Sequence, residues 1–238
     1  GQVTGTFINV VAILFGGVLG LLLGSRLPER IRQTVVAGLG LFTLAYGIKL
    51  FMDTNNALAV LGSLLFGVLI GEVLQIDGAL NRLGIWLEER FVRVNGGAQD
   101  NRFVRGFVTA SLVFCVGPMA ILGSIQDGLT GDYQTLAVKS ILDGFAALAF
   151  ASSLGVGVLF SAAVVLLYQG GISLLAFQAQ NVISDAMMLE MSATGGVLLL
   201  AIALSSLLEI KHLRTGNFLP ALILAPLVVL LMQFLGVY

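Results

Sequence analysis

The sequence carries unusually little charge for a chain of 238 residues. Charged residues make up 11% of it and hydrophobic residues 58%, whereas soluble domains contain roughly 25% charged residues. The mean hydropathy of +1.01 reflects the same imbalance. Because so few polar side chains cannot cover a water-exposed surface, the chain is predicted to be an integral membrane protein.

The sequence also lacks the residues that most enzyme and metal sites require. It has one cysteine, Cys115, and one histidine, His212, so it can form neither an intramolecular disulfide nor a zinc site built from several His and Cys ligands. HExxH, GxSxG and CxxC motifs are absent. With a net charge of -1 and no basic patch, nucleic-acid binding is not expected. The chain is therefore expected to be neither an enzyme nor a cofactor protein.

Long apolar runs dominate the sequence and predict an all-α polytopic transmembrane bundle. A helix of ~20 residues crosses the ~30 Å hydrocarbon core of a bilayer. Eight spans are predicted, at 6–24, 34–52, 57–74, 103–124, 136–152, 154–176, 195–209 and 218–235. The chain is interpreted as a single transmembrane domain, 1–238, whose first run is a span and not a cleaved signal peptide.

The basic residues between the runs predict an orientation. Ten of the 12 Lys and Arg residues follow the first, third and seventh spans, and only Lys49 and Lys139 lie elsewhere. The connections at 53–56, 125–135 and 177–194 contain no Lys or Arg. Because basic connections stay in the cytoplasm, both termini are predicted to lie outside.

The longest basic connection contains an amphipathic segment at about 77–94. Its apolar residues recur every three or four positions: Leu80, Leu83, Leu87, Phe91 and Val94. Charged residues, including Glu88, lie elsewhere on the helical wheel. This pattern predicts a helix that lies in the cytoplasmic interface and anchors the connection there.

Glycines at four-residue spacing predict close helix packing. They are Gly16, Gly20 and Gly24 on the first span, and Gly67 and Gly71 on the third. Small residues at this spacing let two helix backbones approach, within one protomer or across a dimer. Packing within the protomer is the favoured interpretation, and a homodimer is a further expectation from the same faces.

Helix breakers lie inside the apolar runs and predict interrupted helices. Gly117 and Pro118 interrupt the fourth run, and proline removes a backbone donor, so a break within lipid needs partners from protein or water. Pro118 is predicted to start a half-helix with free amides toward the membrane interior. A likeness between 40–45 and 196–201, each interpreted as the opening of a helix, predicts an inverted repeat.

Two charges lie deep inside the fifth predicted span. Lys139 and Asp143 stand four residues apart, so they share one helix face and can neutralise each other. A carboxylate at this depth costs about 2.5–3.5 kcal/mol on insertion scales and therefore usually faces a protein interior or a wet cavity. With Ser140 and the break at Gly117 and Pro118, the pair is predicted to bind an ion or substrate. A purely structural ion pair is the alternative.

Other polar residues are second-rank candidates for the same site. Glu72 and Glu209 lie near span ends, where reaching toward headgroups is the favoured interpretation. Asn9 and Gln169 lie inside spans, where hydrogen bonds between helices are favoured over lining a cavity. Asp127 lies in the predicted outer connection 125–135.

The middle of the chain carries a family resemblance. The run Phe114-Cys-Val-Gly-Pro-Met-Ala-Ile-Leu-Gly123, continued by Lys139-Ser-Ile-Leu-Asp-Gly144, resembles the YqgA/YdfK-like family of bacterial inner-membrane proteins, a family of unknown function. The segments 7–17, 195–201 and 219–225 resemble the same family. The resemblance implies a multi-span domain in the bacterial cytoplasmic membrane, and it implies no substrate and no site residue.

Transport is the function class that these features favour. Interrupted helices and a deep charge pair suit a protein that moves a small ion or solute through a mid-bilayer site, coupled to a proton or a cation. The partners expected are the lipid bilayer and that ion or solute. An ion channel and a non-transport sensor or scaffold protein are the alternatives.

Overall fold

The computed structural model describes residues 3–91, 101–116, 118–179 and 181–238. Within these ranges, eleven α-helices follow one another: α1 (Thr4–Gly24), α2 (Glu29–Met52), α3 (Ala57–Leu74), α4 (Ile76–Phe91), α5 (Asn101–Cys115), α6 (Pro118–Thr130), α7 (Gln134–Leu154), α8 (Gly157–Leu174), α9 (Ala176–Ala179), α10 (Asp185–Ile202) and α11 (Pro220–Phe234). A π-helical segment, Ala203–Leu207, extends α10, and a 3-10 turn, Thr215–Phe218, precedes α11. Within the described ranges, seven segments are long and apolar enough to cross a membrane, and α5 with α6 forms a bent candidate. The prediction of an all-α polytopic bundle is confirmed.

Several predicted boundaries are wrong, because helices continue past the apolar runs that reveal them. The helix predicted at 34–52 begins at Glu29, and the one predicted at 195–209 begins at Asp185, ten residues early. The connection predicted at 125–135 is helical up to Thr130. Gly40 and Gly196 lie inside α2 and α10 and open neither helix. Polar caps explain part of this: the Ser184 hydroxyl accepts a hydrogen bond from the Met187 amide and starts α10 well before its apolar part.

Residue contacts divide the chain into two compact units. The first unit comprises Gly1–Leu39, Leu80–Cys115 and Met119–Phe177, and the second comprises Gly40–Ala79, Val116–Pro118 and Gln178–Tyr238. The interpretation of 1–238 as a single transmembrane domain stays a prediction.

In the first unit, the glycine face of α1 lies directly on the backbone of α7. A side chain at Gly16, Gly20 or Gly24 would overlap the carbonyl oxygens of Gly144, Leu148 and Ser152, respectively. Because residue numbers rise together along both helices, α1 and α7 run parallel. The predicted packing of this face within the protomer is confirmed.

Helix α8 runs antiparallel to α1 in the same unit. Gly17 of α1 faces Leu159 near the start of α8, and Thr6 faces Gly170 near its end. We call the end of the first unit at which α1 and α7 begin and α8 ends its upper end.

Helices α5 and α6 form one broken span. They meet at a bend of 62°. Phe103 packs against Phe160 near the start of α8, with ring centroids 5.3 Å apart, and Gly128 lies against the backbone of Ser173 near the end of α8. On α8, the start of the helix at position 157 and the later contact at position 173 are about 24 Å apart along the helix axis, at 1.5 Å per residue. Since α5 and α6 together cover this length, the pair crosses from one end of the unit to the other and does not turn back.

Helix α4 covers the segment predicted to be amphipathic as far as Phe91. Its apolar residues Leu83, Trp86 and Phe91 are exposed, and so are the charged residues Arg82, Glu89 and Arg90. Glu88, in contrast, is only 3% exposed. The interfacial position of this segment stays a prediction. Glu88 lines a cavity of about 280 Å³ together with Arg32 and Arg102, and Val94 lies outside the described residues.

The second unit repeats the same close packing with different helices. Gly67 and Gly71 of α3 lie on Ala221 of α11 and on Asn217 of the 3-10 turn. In addition, α2 and α10 cross at Gly47 and Gly196, each against the carbonyl oxygen of the other. The glycine faces on both α1 and α3 are thus buried within one protomer.

Candidate functional site

The predicted charge pair forms in the interior of the first unit. Lys139 and Asp143 lie one turn apart on α7, and Lys139 Nζ donates to Asp143 Oδ2. The two residues are 6% and 8% exposed. Asp143 is the tenth residue of the 21-residue helix α7, so it lies near the middle of a segment about 31 Å long. Asp143 thus lies near the middle of its helix, and its depth in the bilayer stays a prediction.

Two buried amides complete the site around the charge pair. Asn9 Nδ2 donates to Asp143 Oδ2 at 2.9 Å and to Gln169 Oε1 at 3.2 Å. Asn9 and Gln169 are both fully buried. We refer to Asn9, Lys139, Asp143 and Gln169, which come from α1, α7 and α8, as the core site. Of the two second-rank amides, Asn9 therefore contacts the charge pair directly, and Gln169 contacts Asn9.

The close contact between α1 and α7 positions these side chains. Asn9 can reach Asp143 because the glycines of α1 that lie on α7 let the two backbones approach closely. Asn9 and Gly16 lie seven residues apart, two helical turns, and so occupy the same face of α1. The same face therefore builds the packing and the site.

The core site contains polar atoms that the described residues leave unsatisfied. Asn9 Oδ1 and Gln169 Nε2 are buried, and neither has a hydrogen-bond partner within the described ranges. A buried polar atom without a partner costs about 1–3 kcal/mol. Such atoms are usually satisfied by ordered water or by a ligand. The core site therefore has unused hydrogen-bonding capacity beside a charge pair.

The predicted interruption of the fourth apolar run is present, because α5 ends at Cys115 and α6 begins at Pro118. Gly117 lies outside the described residues. Ser140 is buried beside the pair and donates its hydroxyl proton to Leu136 O at 2.6 Å.

Asp127 lies elsewhere than predicted. The sequence places it in an outer connection, but it is a fully buried residue of α6. Its Oδ2 accepts a hydrogen bond from the Gly5 amide at 2.8 Å, at the start of α1. The carboxylate thus caps α1 at the upper end of the first unit.

Glu72 and Glu209 belong to the second unit and are accessible there. Glu72 Oε2 accepts from Arg214 Nη1 at 2.9 Å in a partly exposed ion pair. Glu209 is exposed and has a left-handed backbone with φ of 52°. The structure does not place either carboxylate in the core site. Over the part of the chain that the structure describes, no three His, Cys, Asp or Glu side chains form a metal-binding group.

Glu190 is a buried carboxylate that the sequence interpretation missed, because it was assigned to the connection 177–194. It is fully buried in α10. Its Oε1 accepts hydrogen bonds from the amides of Asn55 and Asn56 at 3.0 and 3.1 Å and from the Tyr238 hydroxyl at 3.1 Å. Thr54 donates to Oε2. Burial and then the neighbouring Glu190 charge raise the pKa of Tyr238. The signal that could have revealed this helix is the Ser184 cap before the apolar run.

Glu190 is expected to stabilise the second unit by holding the loop between α2 and α3. Because hydrogen bonds to a charged group contribute about 1.5–3 kcal/mol each, Glu190→Gln should lower the unfolding free energy by about 2 kcal/mol or more. Tyr238→Phe removes one of the four hydrogen-bond donors to Glu190. Because this position is partly exposed, its effect on the unfolding free energy should be smaller. Thermal unfolding of the purified protein in detergent measures both. Equal midpoints for Glu190→Gln and the wild type would contradict this role.

Comparison with known proteins identifies a family that matches most of the chain. Residues 4–230 match the family described as "Protein of unknown function (DUF554)". The "Uncharacterized protein YqgA" of Escherichia coli (strain K12) is 37% identical over 224 residues, which cover 94% of this chain and 95% of that protein. The "Uncharacterized membrane protein YdfK" of Bacillus subtilis (strain 168) is 30% identical over 236 residues, covering 98% of each. No solved structure matches the chain.

Proposed function

The chain belongs to the DUF554 family of unknown function, and we propose that this member moves a small ion or solute across the bacterial inner membrane through the core site. The observation that carries the proposal is the buried ion pair of Lys139 and Asp143, surrounded by amides with unused hydrogen-bonding atoms. The proposed role is transport alone, with no covalent step.

The core site can respond to an ion because Lys139 and Asp143 neutralise only each other. Asp143 Oδ2 accepts hydrogen bonds from both Lys139 and Asn9. No described donor reaches Asp143 Oδ1. A proton or a cation that binds Asp143 weakens its attraction for Lys139, which then becomes free to attract a counter-charge. Occupancy at one group therefore changes the charge available at the other. This exchange is the basis that we propose for coupling to a proton or a cation.

Flux into liposomes tests the proposal. Purified protein reconstituted into liposomes should carry at least one ion or metabolite of a screened panel faster than protein-free liposomes do. The flux should saturate with substrate if the protein is a carrier, and should be much faster and non-saturating if it is a channel. Absence of flux for every ion and metabolite in the panel, with correctly inserted protein, would count against transport.

We propose that the upper end of the first unit faces the outside and that both termini lie outside. The argument is the sorting of Lys and Arg between the connections. On a Cys115→Ser background, a membrane-impermeant maleimide applied to whole cells should label Asn55→Cys and Asp185→Cys. It should not label Arg90→Cys, which lies on α4. The opposite labelling pattern would reverse the orientation.

A homodimer is a separate proposal. The glycine faces of α1 and α3 give it no support, since both are buried within the protomer. Native mass spectrometry from mild detergent should show a dimer mass, and a monomer mass that added lipid leaves unchanged would contradict it.

A further inference from the structure

Three buried side chains at the upper end of the first unit each have an unsatisfied oxygen. Thr6 and Asp127 are fully buried and Ser173 is 2% exposed. Thr6 Oγ1, Asp127 Oδ1 and Ser173 Oγ have no hydrogen-bond partner within the described ranges. We refer to these three residues as the upper cluster.

Three helices bring the upper cluster together. Asp127 of α6 accepts the Gly5 amide at 2.8 Å, and Thr6 is the next residue of α1. Gly128, which follows Asp127, lies against the backbone of Ser173 on α8. The Thr6 methyl carbon is 3.8 Å from the position that a Cβ of Gly170 would occupy, one turn before Ser173. The unsatisfied oxygens therefore lie in one region where α1, α6 and α8 meet.

The upper cluster and the core site share two helices. Thr6 precedes Asn9 by three residues on α1, and Ser173 follows Gln169 by four on α8. Residues at these spacings occupy the same helix face. Both upper-cluster side chains thus lie one turn above the amides of the core site, toward the upper end.

The chemistry of the upper cluster favours a cation as its occupant. Asp127 is buried with one hydrogen bond from Gly5, and a buried carboxylate needs a counter-charge or several donors. A cation that all three oxygens coordinate would supply this counter-charge. Carboxylate and hydroxyl oxygens are the ligands that hard cations prefer.

A single carboxylate matches a single positive charge. A divalent ion would leave one uncompensated charge in a buried site, which is costly. We propose that the upper cluster is a binding site for a monovalent cation, sodium, one helical turn above the amides of the core site. This inference rests on the transport function proposed above, and names its coupling ion.

Equilibrium binding of radioactive sodium to the full chain, purified in detergent, tests the site. Wild type should bind sodium saturably in choline chloride buffer. Ser173→Ala, which removes one ligand without touching the cap of α1, should weaken the affinity about tenfold. Asp127→Asn should abolish binding, while its amide oxygen still accepts the Gly5 amide. Ser161→Ala is the matched control, since Ser161 is a buried serine of α8 that bonds Val158 O at 2.5 Å, and it should bind as wild type does.

Two results would overturn the cation site. One is no saturable sodium binding by wild type. The other is equal binding by wild type, Asp127→Asn and Ser173→Ala, which would make the upper cluster a hydrated helix cap only. Flux measured after the same proteins are reconstituted into liposomes separates the two proposals. If sodium binding follows the expected pattern but Asp143→Asn leaves flux unchanged, the transport mechanism is contradicted and the sodium site is supported. If flux depends on Asp143 but wild type binds no sodium, only the cation site at the upper cluster is contradicted.

Discussion

Asp143→Asn is expected to abolish the flux of the reconstituted protein, or its dependence on a proton or cation. Asparagine has nearly the same shape and can still accept hydrogen bonds from Lys139 and Asn9, but it can neither bind a proton nor balance a positive charge. If the charge of Asp143 carries the exchange, the change removes the response and keeps the geometry. Asp143→Glu keeps the charge and should retain part of the flux.

The matched control for this change is Asp53→Asn. Asp53 is an exposed carboxylate between α2 and α3, and its loss should leave flux unchanged. Thermal unfolding must be followed alongside flux, because removing one partner of a buried ion pair destabilises a protein by about 3–5 kcal/mol. Full flux in Asp143→Asn, with the same ion dependence as wild type, would contradict the proposed role of Asp143.

Gly20→Leu is expected to prevent folding of the first unit. An added Cβ at Gly20 already meets the carbonyl oxygen of Leu148, and lies 3.0 Å from Ala151 Cβ. Backbone atoms cannot move aside as a flexible side chain can, so α1 and α7 would separate. Gly20→Ala, with one added carbon, should cost about 1–3 kcal/mol as overpacking. Since Asn9 lies on α1 and Asp143 on α7, both changes should also disrupt the core site.

Gly38→Ala provides the comparison for helix propensity. Gly38 lies inside α2 with nothing within 4 Å of an added Cβ, so alanine should be tolerated there and should stabilise the helix by about 0.5–1 kcal/mol. The measurement is the yield of monodisperse protein in detergent and its unfolding midpoint. Equal midpoints for Gly20→Ala and Gly38→Ala would show that α1 and α7 do not pack as described.

The sequence is sufficient to predict the helical spans and the charge pair, because both depend on local features. A run of about 20 apolar residues identifies a span by its length alone. Lys139 and Asp143 stand out within such a run, and their four-residue spacing predicts their contact. Gly16, Gly20 and Gly24 likewise predict a close helix contact, although the partner helix, α7, lies more than 100 residues away and could not be predicted.

The rest of the site depends on contacts between distant segments. Asn9 and Gln169 look like ordinary interhelical amides in the sequence, and only the packing of α1 against α7 and α8 brings Asn9 to Asp143 and Gln169 to Asn9. Asp127 and Glu190 were assigned to connections because charge ends an apolar run. In the structure, each is buried where polar donors of another segment meet it. Glu88 is buried although its neighbours Glu89 and Arg90 are exposed, and helical periodicity alone does not determine which charged residue of a helix meets the protein.

Flux through the double variant Lys139→Met/Asp143→Leu tests most directly whether the charge pair carries transport. Replacing both partners of a buried ion pair with apolar residues removes the charges without leaving one uncompensated, so the protein should fold and insert normally. Transport through the core site predicts that this folded protein shows no flux above protein-free liposomes. Flux equal to that of wild type, with the same dependence on proton and cation gradients, would show that the pair is structural and would contradict the proposed mechanism.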